Sequence, residues 1–319
     1  MLNPINGSQL AALVPRLAQA VSIEPITKGY SNDRKYRVTE HDGAAYVLRV
    51  FDITEYERRS EELDWVAKVV DLGVRCSKPV ASGASEALGL AYMMLTYVEG
   101  EDAEHALPLL NERQQYEVGV EAGRELARMH TIAAPGHIAT WEERIVRKYE
   151  NYRRAYETCG AELKGYSAVD DFIWKGIPFI RNRPNVFQHD DFHPSNLLVR
   201  EGRYSGVIDF NRYDFGDPLH DLVKLGMFGR FISVPYSIGQ IDGFCMDKEP
   251  DALFWQLYAT YVGMVAVSSV VWILKVKPDE LESMLWRLDQ VIADHAGFTS
   301  AIPRWYVEGR GLFPLAQSN

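Results

Sequence analysis

The spacing of apolar residues changes character along the chain, and the change predicts two kinds of structure. Residues 34–40 and 44–50 alternate on either side of His41-Asp42-Gly43, an Asp-Gly signal for a tight hairpin. Residues 26–29 run into the polar turn Tyr30-Ser31-Asn32, which places Gly29, Ser31 and Asn32 between two strands, where backbone N–H groups can face an anion. From Thr54 the period becomes helical. Thr54-x-x-Glu57 reads as a capping box, and Leu63, Val66, Val69 and Val70 mark one face of a helix reaching about Leu72. Residues 80–84 and 90–97 return to the strand pattern. The first hundred residues therefore predict a small antiparallel sheet of five strands with one long helix, preceded by a short helical stretch.

Beyond Asn111 the pattern is helical almost throughout. Val118, Ala122, Leu126 and Met129 recur at a period of 3.6 within residues 115–132, and a charged helix over 141–156 carries Tyr149, Tyr152 and Tyr156 as a stripe. Such a stripe packs inward or lines a substrate pocket, and Trp174 carries the same two readings. Residues 252–274 hold no charge and are long enough to cross a bilayer. Gln256, Thr260, Ser268 and Ser269 interrupt the run, so a helix buried in the larger lobe is expected and no membrane partner. The division expected is residues 1–97 for a sheet-based lobe and 98–319 for a helical one, which suits 319 residues that are 47% hydrophobic.

Three scattered cysteines without a C-x-x-C argue for a reduced, cytoplasmic setting, and the first residues lack the basic and apolar runs of a secretory signal. A net charge of −10 disfavours nucleic acid as a partner. It suits a cationic small molecule, although solubility alone accounts for it better. No obligate protein partner is evident.

The densest chemistry lies in residues 188–221. His189, Asp191 and Asn196 stand in the order H-x-D-x-x-x-x-N, Asp209 follows a β-type run, and Gly216-Asp217-Pro218 leads to Asp221. Phosphoryl transfer needs these types in this order: one carboxylate to orient and deprotonate an attacking hydroxyl, then an amide oxygen and a second carboxylate for Mg2+. Residues 197–199 and 205–208 read as strands joined at Glu201-Gly202-Arg203.

This stretch resembles the aminoglycoside phosphotransferase and choline kinase superfamily, whose signature is H-G-D-x-x-x-x-N, I-D and G-D-P-x-x-D. The resemblance implies a two-lobed, protein-kinase-like α+β fold with a small antiparallel-sheet N-lobe and a larger, mostly helical C-lobe. It implies Asp191 as catalytic base, His189 as a brace, Asn196 and Asp209 as Mg2+ ligands, and ATP or GTP as the other cofactor, read by the backbone at Thr96, Tyr97 and Val98. Where that family pattern places a phosphate-binding Lys paired with a helix Glu, this chain has Arg49, with Glu62 as its expected partner and Glu61 as the rival. Asp190 stands where the signature has Gly. The implied reaction is phosphorylation of a small hydroxylated molecule, with an aminoglycoside-type antibiotic as lead and an amino alcohol, sugar or amino acid such as choline or homoserine as the alternative. A non-catalytic nucleotide-binding module is a further alternative. Asp217, Asp221 and Asp242, with Asp247 and Asp251 behind them, are the expected contacts for cationic amines.

Overall fold

The computed structural model describes residues 5–27 and 33–314. The loop calls Gly29, Ser31 and Asn32 lie outside the described residues. The chain forms two compact units. One comprises the residues up to Glu99 together with Gly206–Asn211, and the other comprises Gly100–Ser205 with the residues from Arg212 on.

In the first unit, α1 (Gly7–Leu13) precedes β1 (Ala20–Ile26), β2 (Arg34–Glu40) and β3 (Ala45–Asp52). After α2 (Tyr56–Asp71) come β4 (Pro79–Ser85) and β5 (Leu90–Thr96), giving a five-stranded antiparallel sheet ordered β1-β2-β3-β5-β4. The Asp-Gly hairpin forms with Gly43 at φ +84°. Side chains alternate across the sheet as the pleat requires. Leu48, Val50, Tyr92 and Met94 meet Leu10, Leu13 and Val14 on one face, and Phe51, Ala91, Met93 and Leu95 meet Leu63 of α2 on the other. Arg49 shares the second face, so the pleat aims a guanidinium at α2.

The expected capping box at Thr54 does not form. Asp52 takes the role instead, its carboxylate accepting from the Thr54 N–H at 2.9 Å and its hydroxyl at 2.6 Å. An ionised oxygen fixed at the end of β3 satisfies those donors better than a neutral Thr could.

The second unit begins with β6 (Glu101–Asp102), α3 (Ala103–Ala106), α4 (Glu112–Met129), α5 (Trp141–Glu157) and α6 (Tyr166–Gly176). Then follow β7 (Val186–Gln188), β8 (Leu197–Arg200), β9 (Arg203–Val207), β10 (Asp214–Gly216) and α7 (Pro218–Asp221). The remainder is helical: α8 (Arg230–Ile232), α9 (Val234–Phe244), α10 (Ala252–Val276), α11 (Leu281–Asp294) and α12 (Arg304–Arg310). Glu201 and Gly202, both at positive φ, make the β8–β9 turn, a primed geometry that matches strand twist. In α10, 67% of the most apolar window is buried, in keeping with a core helix. Helices α4 and α9 approach unusually closely. A Cβ on Gly119 or Gly123 would lie 2.1 Å from the backbone oxygen of Tyr236 or Gln240, so any side chain there would force the pair apart.

The expected division at residue 97 requires correction. The first unit runs to Glu99 and reclaims Gly206–Asn211, because Val207 donates to the Arg75 carbonyl at 2.9 Å and bridges Cys76. Asp209 thereby belongs to the unit that carries Arg49.

Candidate active site

In the second unit, β7 delivers the chain to His189, which is fully buried. The next residue, Asp190, has φ +57°, the left-handed conformation that glycine adopts without strain and that Asp tolerates better than most residues. This explains how Asp190 replaces the glycine of the signature. Its carboxylate sits 3.3 Å from Nδ1 of His220. Burial pushes the Asp190 carboxyl up, but His220, with Lys224 and Lys148 further off, outweighs burial and holds it down at about 2.

The turn then presents Asp191, whose N–H donates to His189 Nδ1 at 3.2 Å. His189 is thus a brace beneath the loop. The Asp191 carboxylate is 22% exposed, and its Oδ1 accepts from Lys224 Nζ at 3.0 Å. Asn196 Nδ2 donates to Asp191 Oδ2 at 3.2 Å and to its carbonyl at 2.9 Å. Those two bonds spend the amide nitrogen and orient the Asn196 side-chain oxygen as an acceptor, the donor type a hard cation takes. His193 Nε2 stands 3.5 Å from Asp191 Oδ1. Burial raises the Asp191 pKa, but His193 and Lys224 reverse the effect and keep the carboxyl well below the usual carboxylate range.

The acids expected to meet substrate amines do something else. Asp221 is buried, and its two oxygens accept the His189 and Asp190 N–H groups at 2.9 and 2.7 Å, with His130 Nε2 2.9 Å from Oδ2. Asp217 accepts from Arg183 Nε and Nη2 at 2.6 and 3.0 Å, from Tyr261 at 2.8 Å, and caps α7 through the Leu219 N–H at 3.1 Å. Asp242 is held by Tyr116 at 2.7 Å and Arg310 at 2.5 Å, and burial lifts its pKa. All three carboxylates have side-chain exposures of 0%, so none is presented to a ligand. They are braces of the loop and of the helices behind it. Trp174 is 41% exposed and packs edge-on against Tyr149, whose hydroxyl is bonded to Asp170.

In the first unit the structure joins Arg49 and Asp209, with Nη1 donating to Asp209 Oδ1 at 3.0 Å. Asp209 is 28% exposed on its side chain and sits at φ +67°, a strained position for a residue other than glycine. The Glu62 partnership needs correction. Arg59, one turn before it on α2, takes the Glu62 carboxylate at 3.1 Å, and Asp33 takes Arg49 through Nε and Nη2 at 2.8 and 2.6 Å. Glu61 instead accepts from the Trp65 indole at 3.4 Å. Burial raises the Glu62 pKa in spite of Arg49 and Arg59. Asp33 went unnoticed in the sequence, yet the hairpin register carries a signal for it. Lys35 pairs with Arg49 across the strands, so Asp33, two residues earlier, is the diagonal neighbour on the same face. Lys224 had a signal of the same kind, lying one helical turn beyond Asp221.

At the end of β5, the Thr96 and Tyr97 N–H groups donate to the Lys78 and Ala45 carbonyls at 2.8 and 2.9 Å. Of the three positions whose backbone is expected to read the nucleotide, Val98 alone makes no backbone hydrogen bond through its N–H among the described residues.

Residues 22–255 match the sequence profile of the phosphotransferase enzyme family. Among curated proteins, the chain is 27% identical over 211 residues to a homoserine kinase of Beijerinckia indica subsp. indica, covering 61% of this chain and 60% of that protein. It is 25% identical over 218 residues to a homoserine kinase of Neisseria meningitidis serogroup B, covering 65% and 66%. The matches thus span about three-fifths to two-thirds of the length of these relatives. Among solved structures, aminoglycoside phosphotransferase APH(4)-Ia superposes with a TM-score of 0.67 at 15% identity, covering 90% of this chain and 98% of that one. The GDP complex of aminoglycoside 2'-phosphotransferase-IIIa gives 0.64 at 16% identity, covering 90% and 97%. At these identities the likeness establishes the kinase-like two-lobed α+β fold.

Proposed function

Because this chain belongs to the phosphotransferase enzyme family, whose profile matches residues 22–255, we propose that it transfers the γ-phosphoryl group of Mg2+-bound ATP or GTP to a hydroxyl of a small molecule. The observation that carries this reading is the Asp191 carboxylate. It is partly exposed, kept ionised by His193 and Lys224, aimed by Asn196, and mounted on backbone that Asp221 pins at two consecutive N–H groups. The acceptor hydroxyl would donate to Asp191. Its proton passes to that carboxylate as the oxygen bonds phosphorus and the nucleoside diphosphate departs. A carboxylate of such low basicity accepts the proton late, so its main contribution is orientation, in line with a loose phosphoryl-transfer transition state.

Asn196 and Asp209 are the residues we assign to Mg2+, which when bound neutralises charge on the phosphate oxygens. Arg49 holds the Asp209 carboxylate and brings a permanent positive charge to the nucleotide side. Val98 offers a backbone donor for a purine edge, a contact that leaves ATP and GTP as alternatives.

For the acceptor we favour a small hydroxylated metabolite of the class that the homoserine kinase relatives name, an amino alcohol or hydroxy amino acid. The aminoglycoside reading rested on the family resemblance, the acidic balance and the downstream acids, and of those acids Asp217, Asp221 and Asp242 are buried inside the protein. γ-Labelled ATP and GTP, supplied with homoserine, choline, sugars and kanamycin, test the proposal. Label transferred to an organic hydroxyl supports it. A protein that binds nucleotide and transfers nothing to any acceptor would point to the non-catalytic module.

A further inference from the structure

The second unit carries a pocket of about 300 Å³ lined by Trp141, Arg144, Ile145, Arg147, Lys148, Asn151, Tyr152 and Asp214. Its charge is opposite in sign to that of the whole chain, which is −10. The single acid, Asp214, is neutralised by Arg144, which also donates to the Phe215 carbonyl at 2.5 Å. Arg147 and Lys148 occupy successive positions of α5, are exposed, and make no ion pair among the described residues. Two cations therefore project at a concavity with their charge unspent, beside a buried indole that supplies an apolar wall.

The pocket adjoins the catalytic loop. Asp214 pairs with Gln188 in the β10–β7 ladder, one residue before His189. Trp141 packs edge-on against His220 at 5.0 Å, and His220 is the residue that faces Asp190. Lys148 and Lys224 both help to hold Asp190 ionised, so the surroundings of the loop are cationic from two sides. A polycationic acceptor entering here would meet like charge. An acceptor bearing a carboxylate or phosphate would meet complementary charge from Arg147 and Lys148.

Resting on the kinase reading above, we infer that the pocket at Arg147, Lys148 and Trp141 is an anion subsite that receives a carboxylate or phosphate group of the acceptor while its hydroxyl reaches Asp191. The substrate class is then an anionic alcohol, such as a hydroxy amino acid or sugar acid.

Matched acceptors test this: L-homoserine against 3-aminopropan-1-ol, and D-gluconate against D-glucitol, with kanamycin as the polycation. Each pair differs by the carboxylate. The wild-type protein should favour the anionic member in kcat/KM by about tenfold or more for each charge-assisted contact. The double variant Arg147→Glu, Lys148→Glu should lower that ratio about a hundredfold, through KM. Both positions are exposed, and an unchanged unfolding midpoint verifies that the variant folds. Label transfer with an unaltered anionic-to-neutral ratio overturns the subsite while leaving the kinase reading intact. If no acceptor is phosphorylated, calorimetric titration with D-gluconate and inorganic phosphate still decides. Binding that the double variant loses supports the subsite while the kinase reading fails, and binding that is absent or equal in the two proteins overturns the subsite.

Discussion

The loop around Asp191 and the segment from Gly216 to Asp221 draw on the same residue type for opposite ends. Asp191 keeps 22% of its side chain exposed, and Asp217 and Asp221 keep none. Asp221 gives its two oxygens to two backbone donors and a histidine, and Asp217 gives its own to an arginine, a tyrosine and a helix start. A carboxylate can brace a loop or meet a ligand, and one that is buried with both oxygens already bonded inside the protein is shut off from the second task. The lesson for acids near a catalytic motif is that their valence, more than their proximity, separates chemistry from scaffolding.

Substitution separates the two regions most sharply. Asp191→Ala should lower kcat about 10²- to 10⁴-fold, the contribution of a positioned base, while costing the fold less than Asp217→Ala does, because its oxygens keep contact with solvent. Label transfer and urea unfolding on one preparation check both halves. Near-normal turnover would erase the distinction from the loop side.

Asp217→Ala should do the reverse. Removing a buried carboxylate that pairs with the half-buried Arg183, bonds Tyr261 and caps α7 should destabilise the fold by about 2–4 kcal/mol, read as a lower urea midpoint. A shift below about 1 kcal/mol would mean that the segment is not the brace its geometry describes.

The Arg49 cluster extends the comparison to the first unit, where buried and exposed acids share one cation. Arg49→Ala should reduce kcat/KM for nucleotide about ten- to a hundredfold. Asp33→Ala should cost less once Arg49 is absent, whereas Glu62→Ala should couple to Arg59 more strongly than to Arg49. Strong Arg49–Glu62 coupling with additive Arg49–Asp33 effects would restore the pairing expected from the family pattern.

The smallest effect concerns Asp190, which links the two regions through His220. Its folded pKa, about 2, lies below the ordinary 3.8, so the unfolded chain takes up the proton first as pH falls. The stability involved is present above about pH 4 and is lost toward pH 2. Between those limits the wild-type protein should lose about 1–2 kcal/mol more than Asp190→Gly does, the full shift being discounted for partial exposure. Parallel pH profiles of the urea midpoint for the two proteins would show that His220 does not hold Asp190.

Much of the molecule was legible locally. Gly43 closes the hairpin that Asp42-Gly43 announces, α2 buries the face that Leu63, Val66 and Val69 mark, and His189 accepts the Asp191 N–H two residues on. α10 is the buried helix that its polar interruptions foretold. These features depend on spacing between near neighbours, which the chain carries wherever it folds.

Partner choice was not legible. Asp52 displaced Thr54 as a cap because Thr54 falls inside a short 3-10 turn, Ile53–Glu55, that precedes α2 and begins at Asp52. Asp33 displaced Glu62 because the hairpin register brings it diagonally beside Arg49, and Gly119 and Gly123 matter only once α9 lies against α4. Gly206–Asn211 left its sequence neighbours for the sheet unit by hydrogen bonding to Arg75. The sequence by itself determined the periodicities, the turns and the order of the catalytic types, because backbone conformation responds to adjacent side chains. Tertiary structure alone decided which acids are saturated, because that depends on donors brought together from distant parts of the chain, and burial makes leaving any of them unpaired costly.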